Sequence, residues 1–349
     1  MTENLRWKRR PPGSTWGDFG PDDQLGRLNL ITPKKVLQGI AEVRDGRSFC
    51  LSLPLDYPGG SKLNPRRHPP ELRPTLRGGA PNFNYPISRE DPKSTDIVCD
   101  DLVLLTLQYS TQWDSFAHIG SRFDADGDGK AEIVFYNGFR AGEHVKPAPE
   151  GSAAEPWAKY EGSRAEALGI QNLAEHGAQG RGVMIDLHAH FGRERRAVGY
   201  EALMRVLDAD RVAVERGDFV CFYTGFADVI LELKKNPDPK LLHETCTGLD
   251  GRDEKLLQWV SDCGCAALIA DNYAVEIIPS SPFKPMQHAL MPLHEHCIFK
   301  NGIHLGEIWY LSELAHWLRA HKRNRFLLTA PPLRLPGAVG SPATPVATV

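Results

Sequence analysis

Eleven consecutive residues, Gln108-Tyr109-Ser110-Thr111-Gln112-Trp113-Asp114-Ser115-Phe116-Ala117-His118, gather two side-chain amides, a carboxylate and an imidazole. These are groups that ligate metal ions and move protons, and a fold places such groups most accurately at the end of a rigid strand. The apolar run Leu102-Val103-Leu104-Leu105-Thr106-Leu107 just before them predicts a buried strand with that stretch at its end. Spacing alone also allows a plainer reading, a strand end whose amides bond to the backbone.

Three further constellations could carry chemistry. Pro292-Leu293-His294-Glu295-His296, followed by Gly302-Ile303-His304-Leu305-Gly306-Glu307, predicts a helical turn and then a strand. In that arrangement His294 or His296 and Glu307 converge with Asp114 and His118, and carboxylates with imidazoles suit a hard or borderline metal. His188-Ala189-His190 puts two imidazoles on one face if it continues a strand ending at Leu187, though a polar strand end is the simpler alternative. Residues 124–132 alternate Asp124, Asp126 and Asp128 with glycines, as a calcium loop does. The twelfth position from Asp124 is Phe135, where an EF-hand needs a bidentate glutamate, so a solvated acidic hairpin turn is the default and a lone calcium the alternative. The chain has no Walker loop, no Gly-x-Gly-x-x-Gly between strand and helix, and no Gly-x-Ser-x-Gly elbow.

The elements that must position these groups follow from periodicity. Apolar runs predict strands at 183–187, 219–223, 266–270 and 326–328; helical spacing predicts helices near 200–215, 252–262 and 311–321. Thr32 followed by Pro33 reads as a cap and first turn, Asp250 and Ser312 as further caps. Strands and helices intermingle, which gives a mixed α/β or α+β chain, expected as one domain over 1–349. Residues 1–30 form an irregular arm whose tryptophans should pack down, and 56–96 a long Pro/Gly-rich loop or lid. A net charge of −3 gives no basic field for nucleic acid or an anionic membrane, and Arg66-Arg67-His68 beside prolines reads as solvated surface. Seven cysteines, scattered and odd in number, suit buried thiols in a reducing cytoplasm, and Cys263-Gly264-Cys265 lacks the second pair a structural zinc would need. No apolar run reaches the roughly 18 residues of a membrane span.

The opening stretch resembles the His-x-Gly-Thr-His-x-Asp-x-Pro-x-His signature of the metal-dependent cyclase family, which includes bacterial kynurenine formamidase and isatin hydrolase. Aligned to it are Gln108, Ser110, Thr111, Gln112, Asp114, Phe116 and His118. Trp16-Gly17-Asp18, Asp23-Gln24-Leu25-Gly26-Arg27-Leu28-Asn29, Arg216-Gly217-Asp218-Phe219, Tyr223-Thr224-Gly225 and Tyr136-Asn137-Gly138 are similar to segments of its larger members. So are Asp271-Asn272-Tyr273-Ala274-Val275-Glu276, Pro292-Leu293-His294, Gly306-Glu307 and the segment 330–337.

The resemblance implies a swivelling β/β/α fold, dimers or tetramers, and hydrolysis or closure of a carbon–nitrogen bond at a carbonyl using a divalent metal. It implies Asp114 and Glu307 as metal carboxylates, His118 as acid/base, and His294, with His296 as substitute, as the later histidine. Trp16, Trp113, Phe116 and Tyr136, with Trp309, are candidates to hold a planar small-molecule substrate and equally candidates for core. Both signature histidines are glutamines here, Gln108 and Gln112. An amide oxygen is a poorer donor to zinc than imidazole but adequate for manganese, magnesium or calcium. The metal expected is therefore manganese or zinc, with magnesium or calcium as alternatives. Two rival outcomes stay open: a metal-free site, in which Asp114 orients His118 and a glutamine donates to an oxyanion, and a binding protein without catalysis.

Overall fold

In the computed structural model of the chain, the described residues are 6–149, 163–279 and 288–349. Three of the apolar runs, with the strand His304–Glu307, become the parallel centre of a nine-stranded sheet: Gln179–Asp186, Phe219–Tyr223, Ala267–Ala270 and His304–Glu307. Antiparallel strands extend it on both sides. Arg325–Thr329, Val346–Thr348 and Ser48–Cys50 continue one edge, and Gln112–Asp114 with Gly340–Pro342 the other. Parallel neighbours need crossovers, supplied in part by the helices Tyr200–Asp210, Phe226–Glu232 and Glu254–Asp262.

The alternation of side chains sorts the centre into two cores. Val183, Ile185, Val220, Phe222, Leu268 and Leu305 belong to one; Met184, Phe219, Cys221, Ala267 and Ile269 to the other. A sheet covered on both faces explains why these strands read as continuous apolar runs. The expected mixed α/β architecture, a curled sheet flanked by helices, is what the chain adopts.

Thr32 caps the helix Pro33–Ile40, its side chain accepting from Lys35 N. The helix Glu254–Asp262 is capped by Asp253 rather than Asp250, and Ser312 lies just inside its helix, after Leu311. His188 and His190 lie on a short helix, Leu187–Phe191, not a strand, because Asp186 accepts from Ala189 N and turns the chain; His190 then pairs with Asp210 at 3.0 Å.

The run at 102–107 is not a buried strand. Asp101–Leu104 pairs with Glu71–Pro74 in a separate two-stranded ribbon, and Leu102 and Val103 are 47% and 45% exposed. Hydrophobic sequence predicts burial only where a second layer covers it, and this ribbon stands outside both cores. The 56–96 excursion is largely such ribbons: Leu76–Arg77 pairs with Ala80–Pro81 and Tyr85–Pro86 with Ile97–Val98. The N-terminal arm packs down through Trp16, whose Nε1 donates to Phe299 O at 2.8 Å. The seven cysteines are free thiols. Among the described residues, no helix is long and apolar enough to cross a membrane.

Candidate metal centre

Gln112 and Asp114 are two residues apart on one strand, so both face the same side while Trp113 faces the other. That strand runs antiparallel to His304–Glu307, with Glu307 opposite Gln112. Gln112 Nε2 donates to Glu307 Oε2 at 2.8 Å. His294 ends the turn Pro292–His294, just before the π-helix Glu295–Lys300, a departure from α-helical winding that recurs at functional sites. Its Nε2 lies 3.1 Å from Glu307 Oε1 and its Nδ1 2.8 Å from Glu276 Oε1.

One ligand atom each from Asp114, His294 and Glu307 lie within 4.8 Å of one another, all three residues buried. Gln112 is buried beside them, while Gln108 lines the adjoining cavity, and a Cβ on Gly340 would come within 2.5 Å of its Nε2. His118 is 20% exposed and faces the cavity, with Nε2 3.8 Å from Asp114 Oδ1, too far for a hydrogen bond. His296 turns away to Ser261 Oγ at 2.9 Å, which leaves His294 as the histidine at the centre.

The electrostatics are those of a site short of positive charge. Both oxygens of Asp114 and Oε1 of Gln112 are buried without a hydrogen-bond partner among the described residues. Burial pushes the Asp114 carboxyl up, as does Glu307, while His118, His294 and Arg67 pull it back. Burial opposes protonation of His294, but hydrogen bonds to Glu276 and Glu307 prevail and raise it to about 10. Buried acceptors without donors are rare and costly. A divalent cation held by Asp114, His294 and Glu307 would supply the partner that the Asp114 oxygens lack, so the residues present fit one.

The wall beside the centre is fixed by Asn272. Its Oδ1 accepts from Val275 N at 2.7 Å, its Nδ2 donates to Thr247 O, and its own carbonyl accepts from Ile308 N at 2.9 Å. Val275 and Ile308 sit at φ 58° and 55°, a region that β-branched residues avoid, and they adjoin Glu276 and Glu307. Asp271 accepts from Thr224 N, Gly225 N and Phe226 N, which ties this loop to the start of the helix Phe226–Glu232; burial nonetheless pushes its carboxyl up to about 7.

The centre opens into a cavity of about 590 Å³ whose aromatic walls are Tyr109 and Tyr273. Trp16, Trp113, Phe116 and Tyr136, expected as substrate contacts, are each fully buried and do not line it. Trp113 packs on Trp309 and donates to Ala330 O at 2.8 Å, and Phe116 stacks on His304. Tyr136 donates to Asp23 at 3.2 Å and helps lock the arm down. Residue type marked these aromatics, but strand alternation and the arm's packing turn them into the core.

Glu276, Arg66, Arg67, His243 and Tyr273 were missed as site residues; only Glu276 and Tyr273 stood in a family-like segment. Asp124, Asp126 and Asp128 do gather at the hairpin between Ser121–Phe123 and Glu132–Val134. There Arg9 already takes Asp124 Oδ2 at 2.7 Å, so the loop carries its own counter-charge.

Residues 51–277 match the family model Cyclase (“Putative cyclase”), well over half of the chain. Among solved structures, a crystal structure of a novel cyclase is 28% identical, with 96% of this chain and 99% of that chain covered and a TM-score of 0.73. Isatin hydrolase A from Labrenzia aggregata, bound to benzyl benzoate, is 12% identical, with 90% and 97% covered and a TM-score of 0.52. An isatin hydrolase bound to the product analogue thioisatinate is 13% identical, with 91% and 99% covered and a TM-score of 0.50; both share the fold. No curated protein matches the chain.

Proposed function

The chain belongs to the Cyclase family, and on that premise we propose that it is a metal-dependent hydrolase that opens an amide, imide, cyclic amide or lactone bond of a small aromatic or cyclic substrate. The observation that carries this reading is the set of buried oxygens without donors, Asp114 Oδ1 and Oδ2 and Gln112 Oε1, beside His294 and Glu307. Asp114, His294 and Glu307 would hold the ion, with the Gln112 oxygen as a further donor. An oxygen-rich set of this kind favours manganese over zinc. When bound, such an ion polarises a carbonyl and makes water a nucleophile near neutral pH.

The chain's own groups do the rest. Glu276 accepts at His294 Nδ1 and so aims Nε2 at the centre. His118, beside the centre but open to the cavity, takes a proton at Nε2 from attacking water and returns it to the leaving nitrogen, or to the leaving oxygen of a lactone. Tyr109 and Tyr273 offer faces for a flat substrate. The metal-free alternative needs Asp114 to orient His118, and the 3.8 Å separation speaks against it. A homodimer or homotetramer belongs to the same reading; support for self-association is the exposed apolar surface of the outer ribbons, Leu72 at 71% and Leu76 at 74%.

The test is chelation, add-back of manganese, zinc or magnesium, and turnover of a panel of formyl anilides, cyclic amides, imides and lactones. Activity should return with metal, best with manganese. His118→Ala should lose about 10²–10⁴-fold in kcat with metal content unchanged. Full activity in chelated protein would overturn the metal, and full activity in His118→Ala the acid/base role.

A further inference from the structure

The pair Arg66-Arg67 looks like solvated surface in the sequence, yet both residues line the cavity that His118, His294 and Glu307 open into. Arg67 is half-buried and near enough to Asp114 to lower its carboxyl, and among the described residues neither guanidinium forms a salt bridge. The buried arginines Arg181 and Arg27 are by contrast paired or hydrogen-bonded, with Asp218 at 2.9 Å and with Val260 O at 2.8 Å.

The segment carrying the pair is built and anchored. Arg67 N donates to Asn64 O and Arg66 N to Asn64 Oδ1, closing a turn. His68 N donates to Thr106 Oγ1 at 3.0 Å, and Ser61 Oγ lies 3.2 Å from His68 Nδ1. The Tyr109 hydroxyl accepts from Gly59 N at 3.0 Å and donates to Gly60 O at 2.7 Å. The backbone that carries the two guanidiniums is therefore tied to Thr106 and Tyr109, in the segment that leads into the strand of Gln112 and Asp114.

Away from these two residues and the metal centre the lining is mainly apolar, with Leu63, Ile119, Ile278 and Met291 among its side chains. Two cations, the acidic groups of the centre and apolar side chains all line one cavity, and together they describe the ligand. We propose that the substrate carries an anionic group, a carboxylate, that Arg67 and Arg66 bind, fixing which bond lies at His118, His294 and Glu307. A planar guanidinium fork holds a carboxylate in one orientation, so it sets position as well as affinity. The apolar body then spans the cavity, and substrates lacking the anion lose both affinity and alignment. This rests on reading the cavity as the substrate site, but not on the metal.

The test separates the two. Benzoate and its neutral counterpart benzamide are titrated calorimetrically into chelated protein, where no ion can capture the carboxylate. Benzoate should bind at least about tenfold more tightly than benzamide. Arg67→Gln should remove that preference and leave benzamide unchanged; Arg67→Lys should retain part of it; Arg66→Gln should weaken it less. Circular dichroism and manganese content of the variants, expected to match the parent, exclude loss of folding or of the centre. Equal binding of the two probes, no binding of either, or an Arg67→Gln protein that keeps its preference for benzoate would overturn the proposal. A failed metal reading would appear instead as chelated protein that stays fully active, with the benzoate result standing.

Discussion

At the scale of single residues, the centre depends on a group that does not face the substrate. Glu276 accepts from His294 Nδ1 and also from the backbone N–H groups of Leu293 and His294. It thereby fixes both the ring and the turn that carries it. Carboxylates behind a histidine ligand sustain metal affinity, and their loss costs about 10–100-fold. Glu276→Gln keeps the volume and one acceptor oxygen but removes the charge that holds the Nδ1 proton. Manganese affinity should fall by about that factor, read by competition with a chelating dye, while kcat at saturating metal changes less. Unchanged affinity would mean that Glu276 only shapes the turn. Asp114 presents the complementary case, since among the described residues no donor reaches its carboxylate and a cation is the partner its surroundings favour.

At the scale of elements, two carboxylates of the centre, Glu307 and the Glu276 behind His294, sit beside strained backbone. Val275 and Ile308 hold positive φ next to Glu276 and Glu307, at a cost of about 1–3 kcal/mol each, and Asn272 clamps both through its side chain and carbonyl. Asn272→Ala loses the side-chain half of that clamp at a buried site, so the expected loss is about 2–4 kcal/mol of stability with weakened manganese binding. Urea unfolding and dye competition read the two effects; a variant that unfolds and binds as the parent does would show the strain to be held elsewhere.

The same elements show what sequence could reveal. The central strands were legible because burial on both faces leaves uninterrupted apolar runs, as at 219–223. Asp114 and His118 were legible because they lie within one short stretch, and Glu307 because it follows an apolar strand pattern. Arg67 was hidden because a charged pair among prolines carries no periodicity, and only the Asn64 turn and the tie to Thr106 bring it inward. The run at 102–107 misled for the opposite reason: its hydrophobicity is real, but its partner strand lies outside the cores.

At the scale of the whole molecule, the burial that builds the centre also sets the acid limit of the fold. His304 lies in the strand beside Asp114, stacks on Phe116 at 4.0 Å and donates from Nδ1 to the Asp114 carbonyl at 2.8 Å. Its Nε2 is buried without a partner among the described residues, so a second proton there would be stranded in apolar surroundings. Burial pulls the imidazole down to about 4 in the folded chain from an ordinary 6.5. The unfolded chain therefore holds a proton that the folded chain lacks throughout the interval between those values. Stability from this group is complete above about 6.5 and is lost progressively as pH falls towards 4, by a total on the order of 3 kcal/mol. A divalent cation beside Asp114 would repel the same proton, so metal binding preserves the sign. The measurement is the midpoint of thermal unfolding against pH, for the parent and for His304→Asn, which retains a donor near the Nδ1 position but cannot titrate. The variant should be less stable at neutral pH, having lost the stacked ring, yet its midpoint should fall less steeply between pH 6.5 and 4. Identical slopes would show that other buried groups, and not this imidazole, make the fold sensitive to acid.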